Sequence, residues 1–350
     1  MSTNYRAVQW NRHKRIYDLV LVGAVVTYLV VFALAQSLLH PEITAETLMI
    51  RGTATLALIL LHVILAIGPL ARLDRRFLPF LYNRRHLGVT MFLVAAVHGV
   101  LSILQFHALG NENPIVSLFT SNTRYDSLAS FPFQPLGFVA LVLLFLMAAS
   151  SHDFWLKNLT PRIWKTLHMS VYIAYALVVM HVMLGAAQRD SSPVLVAAIG
   201  AGVIGLASLH LIAGLREVRT DAGVARSPAD DGFVRFCEVD DIAEGRAKIL
   251  AVGDERIAVF RHEGTVSAIS NVCRHQNGPL GEGKIVDGCV TCPWHGFQYL
   301  AAEGRAPEPF DEKIETYDVR LDGRTVWVNP KPYPEGTPRP PAVIPEETAS

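Results

Sequence analysis

The sequence predicts an α-helical membrane bundle of six transmembrane helices followed by a small all-β domain. Six uncharged apolar runs fall within the first 215 residues, and short β patterns follow between residues 232 and 329. Only 18% of the 350 residues are charged, against about 25% in soluble globular proteins. Residues 1–229 hold 18 Lys and Arg against 10 Asp and Glu, whereas residues 230–350 hold 13 against 21. The chain therefore combines two modules of opposite charge.

Composition also excludes two classes of protein. The chain has 31 Lys and Arg against 31 Asp and Glu, so a strongly basic nucleic-acid binder is excluded and no nucleic-acid partner is expected. Its four cysteines all lie beyond residue 236, which excludes a secreted scaffold held together by disulfides.

Each apolar run is long enough to cross a bilayer. The runs are Leu19–Leu39, Gly52–Ala71, Leu87–Phe106, Phe131–Ser151, Thr166–Ala187 and Pro193–Leu215. At a rise of about 1.5 Å per residue, about 20 helical residues cover a hydrocarbon layer of about 30 Å. Helices buried in a large soluble core are the alternative, but they seldom carry apolar runs of this length. A membrane domain is therefore expected over residues 19–215, after a cytoplasmic tail at residues 1–18.

Basic residues predict how this domain is oriented. The N-terminal tail and the connections after the second and fourth runs hold 12 Lys and Arg, whereas the three opposite connections hold three. Positive charge concentrates on the cytoplasmic side of membrane proteins. The sequence therefore predicts a multi-pass protein of the inner (plasma) membrane, with both termini and the β domain in the cytoplasm.

Histidines in the apolar runs are candidates for function, because ionisable residues inside a bilayer are rare. They are His62, His98, His168, His181 and His210, with His86 at the cytoplasmic mouth of the third helix. Measured along the helices from the cytoplasmic side, His98 and His181 lie at similar depths of about 20 and about 24 Å, which makes them an outer pair. His168 lies near the cytoplasmic face, where His86 and His62 are its candidate partners.

Paired imidazoles across a helix bundle are the usual axial ligands of b-type haem. The alternative is that each histidine only hydrogen-bonds a neighbouring helix. Depth and number favour haem, so His98, His168 and His181 are predicted to bind one or two haem b groups, with His86 and His62 as further candidates. His210 has no partner at its depth and is expected to be a packing residue.

Two stretches carry a resemblance to a known family. They are Arg84-Arg85-His86-Leu87-Gly88 followed by Ala96-Val97-His98, and Trp164-Lys165-Thr166-Leu167-His168 followed by Met180-His181. Residues 45–215 resemble the ferric-reductase-type transmembrane domain, and in particular the haem-binding membrane subunit of the bacterial methionine sulfoxide reductase system. This resemblance implies haem b on His98, His168 and His181. That subunit carries apolar residues at the positions of His62 and His86.

The β domain is expected between a linker and a tail. Residues 216–231 form the linker, which as a flexible coil spans about 20–25 Å. Strands are predicted at Ile257–Phe260, Val266–Ile269, Cys289–Thr291 and Thr325–Val328, with a hairpin turn at Glu263-Gly264. Residues 330–350 contain seven prolines and are expected to form a disordered tail.

Within the β domain, Cys273-Arg274-His275 precedes Cys292-Pro293-Trp294-His295, with sixteen residues between His275 and Cys292. Each arm offers one thiolate and one imidazole, the ligands of an asymmetric [2Fe–2S] cluster. Zinc is the alternative, but zinc fingers pair cysteine with cysteine and histidine with histidine, whereas both arms here are mixed.

Residues 232–329 resemble a Rieske domain through this motif. The resemblance implies that Cys273 and Cys292 bind one iron, and that His275 and His295 bind the other.

The cluster loops depart from those of quinol-oxidising Rieske proteins. Gly278, Trp294 and Phe297 stand where those proteins carry a loop disulfide and a serine donor. Because hydrogen bonds to the cluster raise its potential, this departure predicts the lower part of the range of about −150 to +300 mV. Tyr299 is a candidate for one remaining hydrogen bond. The domain therefore resembles the ferredoxin type of Rieske protein.

Together the two modules predict a transmembrane electron-transfer protein, a ferric-reductase-like oxidoreductase component. Single electrons would pass between the cytoplasmic [2Fe–2S] cluster and the haem, toward an extracytoplasmic acceptor protein or ferric chelate. No flavin or nicotinamide domain is recognised in the sequence, so a cytoplasmic reductase or ferredoxin is expected as electron donor. A quinone-linked redox protein and a haem or redox sensor are the alternatives.

Overall fold

The computed structural model describes residues 12–81, 83–151, 155, 159, 161–190, 193–222, 231–253, 255–274, 278–293, 296–308 and 310–345. The chain divides into two compact units. Of the described residues, those of 12–68 and 83–210 form the helical unit, and those of 69–81 and 211–345 form the mixed unit.

All six apolar runs form helices. In chain order the helices are α1 Arg12–Leu39, α2 Ala45–Leu73, α3 Leu78–Leu81, α4 Arg84–His107, α5 Pro114–Thr120, α6 Gln134–Ser150, α7 Pro161–Met169, α8 Val171–Leu184, α9 Ala186–Asp190 and α10 Pro193–Ala222. Short 3-10 turns lie at Arg75–Phe77 and Leu128–Ser130.

Within the described residues, five helical segments are long and apolar enough to cross a membrane. One of them, Ile163–Gln188, combines α7, α8 and α9 and contains a break at Ser170. The remaining apolar helix, α6, has 17 residues, somewhat fewer than the about 20 that a straight crossing needs. Several apolar helices are thus established, and the count of six crossings stays a prediction.

Apolar side chains lie both inside and outside the helical unit. Its core is formed by Leu61, Leu65, Met91, Leu144, Met147, Ala174 and Leu206. On α1, large apolar residues such as Leu19, Val26 and Leu34 are more than half exposed. A helix with such a surface requires an apolar surrounding, as lipid provides.

The described residues of the β region form eleven short strands. They are β1 Val234–Glu238, β2 Ala247–Val252, β3 Glu255–His262, β4 Thr265–Ser270, β5 Lys284–Val286, β6 Cys289–Thr291, β7 Gln298–Leu300, β8 Thr316–Tyr317, β9 Val319–Asp322, β10 Thr325–Val328 and β11 Ala342–Val343. Their sheets have the orders β1-β10-β9, β11-β4-β3-β2 with β8 on β4, and β5-β6-β7. The fold class predicted from the sequence, apolar helices followed by a small all-β domain, is therefore confirmed.

The β3–β4 hairpin forms at the predicted turn. Glu263 and Gly264 both have positive φ, 47° and 71°, and the flanking His262 and Thr265 are paired. Positive φ at both central residues is the type I′ geometry, which matches the twist of the two strands. The hairpin fixes the register that places Ala258 opposite Ile269 in the core.

The C-terminal tail differs from the expectation of disorder. Residues 330–345 lie along the β domain, and β11 pairs with β4. Tyr333 donates its backbone N–H to Thr316 and its hydroxyl to Asp318, which also binds Arg339. Prolines fix an extended backbone that needs few partners of its own, and here that backbone packs on a folded surface.

Candidate functional site

Both cysteines of the predicted cluster motif are buried in loops of the β domain. Cys273 follows β4, Cys292 follows β6, and each is 1% exposed. The Cys273 N–H donates to the Gly278 carbonyl at 2.9 Å, and the Cys292 N–H donates to the Phe297 carbonyl at 2.8 Å. Each loop is thus closed by a backbone hydrogen bond across its base, and this closure holds each thiol in place.

Tyr299 on β7 lies beside the two thiols. Its hydroxyl is 3.6 Å from Cys273 Sγ and accepts the Arg274 backbone N–H at 3.1 Å. Burial raises the pKa of Tyr299, and the neighbouring Cys273 and Cys292 thiols raise it further. The phenol therefore stays protonated at neutral pH and can donate a hydrogen bond to sulfur.

The residues present fit a [2Fe–2S] cluster. Cys273 and Cys292 are buried in one core cluster and are not joined in a disulfide, and the Tyr299 hydroxyl stands beside Cys273. The imidazole ligands of the motif, His275 and His295, lie outside the described residues. Within the described part of the chain, no group of three or more His, Cys, Asp or Glu side chains is arranged for a metal.

The two other cysteines lie apart from this site. Burial raises the pKa of Cys237 to about 12 and also raises the pKa of Cys289. Both therefore remain neutral thiols at physiological pH. Their burial agrees with a packing role.

In the helical unit, the structure brings His98 and His181 together. Their ring centroids are 6.3 Å apart, and the ring planes are inclined at 75°. His98 Nδ1 donates to the Ile50 carbonyl at 3.1 Å, and His181 Nδ1 donates to the Phe133 carbonyl at 2.9 Å. In a neutral imidazole that donates from Nδ1, the lone pair is on Nε2. Both rings are thus fixed in the tautomer that binds a metal through Nε2.

The spacing of these rings fits a shared metal. An imidazole nitrogen binds a metal at about 2 Å, so two rings that share one metal must lie within about 6 Å of each other, as these rings do. Gly137 on α6 allows this placement, because a Cβ at that position would lie 2.7 Å from His181 Nδ1. The spacing of the two rings is therefore compatible with a metal held by both.

The other candidate haem ligands have different neighbours. His168 Nε2 lies 3.2 Å from Ser150 Oγ, and its ring stacks on Trp164 with centroids 3.8 Å apart. His62 donates from Nδ1 to the Leu58 carbonyl, and its Nε2 contacts the Tyr175 hydroxyl at 3.0 Å.

His86 Nδ1 binds Asp18 Oδ1 at 2.7 Å. His210 contacts the Leu65 carbonyl and Tyr172, which agrees with its expected packing role. The described contacts of the His168 ring are thus with Ser150 and Trp164, and the charges of Arg84 and Arg85 also act on this ring.

Several contributors to this site were not identified from the sequence. The carbonyls of Ile50 and Phe133 orient the histidines, but a backbone acceptor has no sequence signal. Gly137 does have a sequence signal, since a glycine in a membrane helix often marks a close approach of helices. Ser150 and Trp164 could be associated with His168 only after the fold had placed them beside it.

Comparisons with known proteins agree with this two-part site. Residues 232–318 match the family model of the Rieske [2Fe-2S] domain, and residues 51–179 match that of the ferric reductase like transmembrane component. The chain is 28% identical over 107 residues to the ferredoxin component of the alkene monooxygenase system of Xanthobacter autotrophicus. That match covers 30% of this chain and 88% of the relative.

A second relative is more similar still in sequence. The anthranilate 1,2-dioxygenase ferredoxin subunit of Burkholderia cepacia is 32% identical over 92 residues, which cover 26% of this chain and 85% of the subunit. Among solved structures, the ferredoxin of carbazole 1,9a-dioxygenase from Nocardioides aromaticivorans is 28% identical, with 28% of this chain and 98% of that chain covered and a TM-score of 0.27. The protein is therefore a multi-pass membrane redox protein of the Rieske [2Fe-2S] family, in which a ferric reductase like transmembrane domain and a Rieske domain share one chain.

Proposed function

We propose that this chain carries single electrons between a cytoplasmic Rieske cluster and b-type haem in the membrane, toward an extracytoplasmic acceptor. The observation that carries the proposal is the His98–His181 pair, with both Nδ1 atoms bound to backbone carbonyls and centroids 6.3 Å apart. A histidine that only joined two helices would not need a second histidine opposite it.

The β domain would hold the cluster through Cys273, His275, Cys292 and His295. When bound, such a cluster and a b-type haem each exchange one electron at a time. The backbone bonds at Cys273 and Cys292 keep the two loops closed, and Tyr299 supplies a neutral donor beside the sulfur. The protein's part is thus to bind the centre, exclude water and set its potential.

In the membrane, His98 and His181 would hold one haem through their Nε2 atoms. A second haem would use His168, as the sequence resemblance implies. The observed contacts disfavour His62 as its second ligand, because both of its ring nitrogens have partners. His86 stays a candidate, since Asp18 holds its Nδ1 as backbone carbonyls hold Nδ1 of His98 and His181.

We place the protein in the inner (plasma) membrane with the Rieske domain in the cytoplasm. A cytoplasmic reductase or ferredoxin would supply the electrons. Several relatives of the β domain are ferredoxin components of oxygenase systems, which supports a soluble partner of this redox class. The acceptor on the other side would be a protein or a ferric chelate.

Redox titration of the purified full-length protein by optical and EPR spectroscopy tests this function. Wild type should show a low-spin b-type haem and a Rieske signal, and His98→Ala and His181→Ala should both lose the same haem. His168→Ala reports on a second haem, and His210→Ala is the matched control. If haem content is unchanged in both His98→Ala and His181→Ala, the proposed pair does not bind haem.

A further inference from the structure

Four charged side chains form an alternating chain within the mixed unit. Arg72 near the end of α2 binds Glu282 through Nε at 3.2 Å and Glu217 through a guanidinium nitrogen at 3.6 Å. Glu217 near the end of α10 also binds Arg256 on β3 at 2.8 Å. The order is therefore Glu282, Arg72, Glu217, Arg256. Two residues come from the ends of apolar helices and two from the Rieske domain.

This chain of charges connects to the loop that carries Cys273. Asn271 donates its backbone N–H to the Arg256 carbonyl at 2.8 Å. Its side-chain oxygen accepts the Gly281 N–H at 2.7 Å, one residue before Glu282. Asn271 is 4% exposed and lies two residues before Cys273. Asn271, at the start of this cluster loop, thus bonds the backbone of Arg256 and that of Gly281, the neighbour of Glu282.

We propose that Glu282 and Arg256 form an electrostatic docking surface that holds the Rieske domain on the ends of its own membrane helices, through Arg72 and Glu217. The partner of this surface is the same chain. The proposal rests on the proposed function, because a cluster that delivers electrons into the membrane needs a defined docked position.

Charge and exposure support a reversible contact. The Rieske region 232–329 holds 11 basic and 16 acidic residues, whereas the end of α2 and the segment after it include Arg72, Arg75 and Arg76. The four side chains are 17–44% exposed. Partly exposed ion pairs are individually weak and are screened by salt, with a Debye length of about 10 Å at 0.1 M. The docked state should therefore weaken as ionic strength rises.

Zero-length cross-linking measures docking without any electron transfer. In the full-length Arg72→Lys variant in nanodiscs, a carbodiimide should join residue 72 to residue 282 or 217, and mass spectrometry identifies the joined peptides. The yield of the 72–282 product should fall at least threefold between low salt and about 1 M salt. Arg76→Lys is the matched control, since Arg76 binds its neighbour Asp74 and should give no product with residue 282. A 72–282 product that is absent at low salt would overturn the proposal.

Charge reversal provides the second readout. Arg72→Glu and Glu282→Arg should each slow haem reduction by the pre-reduced Rieske domain about threefold to tenfold, and the double variant should recover much of the wild-type rate. Cluster and haem spectra should stay unchanged in all three variants. If wild type reduces its haem and both single variants do so equally fast, the docking proposal fails alone. If wild type shows no haem reduction while the cross-link forms, the proposed function fails and the docking surface stands.

Discussion

Gly137→Ala tests whether His181 must occupy its observed position. The added Cβ would lie 2.7 Å from both Cε1 and Nδ1 of His181 and 3.1 Å from Cγ. Carbon atoms in ordinary contact are about 3.5–4.0 Å apart, so the imidazole or α6 has to move by several tenths of an ångström. Movement of the ring strains the bond from His181 Nδ1 to the Phe133 carbonyl and changes the distance to His98.

The expected size of the effect follows from the cost of overpacking. Adding a methyl group to a packed site costs about 1–3 kcal/mol. If most of that cost destabilises the haem-binding position of His181, the affinity of the protein for haem falls about fivefold to about a hundredfold. The haem content of purified Gly137→Ala and the g values of its low-spin haem signal measure the loss and the distortion.

Two further glycines make the comparison specific. Gly202→Ala would place a Cβ 2.8 Å from His62 Nε2, an equal perturbation of a histidine that we do not assign to haem. Gly200 has nothing within 4 Å of its Cβ position, so Gly200→Ala tests helix substitution alone. We expect a changed haem spectrum in Gly137→Ala only. Wild-type haem in Gly137→Ala together with altered haem in Gly202→Ala would refute the assignment of His181 and favour His62.

Three other outcomes concern the β domain. Cys292→Ser should abolish the Rieske EPR signal. Cys289 is a buried thiol three residues away, and Cys289→Ser should keep the signal. Loss of the signal in both variants would mean that misfolding explains the effect. Tyr299→Phe should lower the cluster potential by about 20–60 mV, the equivalent of one hydrogen bond, in a redox titration. The Tyr317 hydroxyl donates to Glu255 instead, so Tyr317→Phe should leave the cluster potential unchanged. Burial raises the pKa of Cys237 and Cys289, so both thiols should resist iodoacetamide at pH 8 in the folded protein and react after denaturation. Mass spectrometry measures the labelling. Rapid labelling of the folded protein would contradict their burial.

The sequence predicted the parts of the fold that depend on local pattern. Apolar runs of about 20 residues locate membrane helices because lipid requires that length. The Glu263-Gly264 turn and the strands beside it were predictable because positive φ and alternation are local properties. The cluster motif was predictable for the same reason, since two short loops carry all four expected ligands.

Other features depend on which distant segments meet. Seven prolines predicted disorder for residues 330–350, but proline composition does not reveal that Asp318 binds both Tyr333 and Arg339 of this segment. Matching histidines by depth predicted that His98 and His181 are neighbours, and the structure places their rings side by side. The same reasoning made His62 a candidate partner of His168, but in the structure His62 contacts the Tyr175 hydroxyl. Depth alone does not decide which side chains meet, because the rotation of each helix about its axis also matters.

Electron delivery across a sealed membrane tests the proposed function most directly. Full-length protein is placed in vesicles with a reduced ferredoxin outside and a membrane-impermeant oxidant inside, and reduction of the trapped oxidant is followed optically. We predict that wild type reduces it and that Cys292→Ser and His98→Ala do not. Delivery by both variants at the wild-type rate would show that electrons do not use the Rieske cluster and the His98 haem.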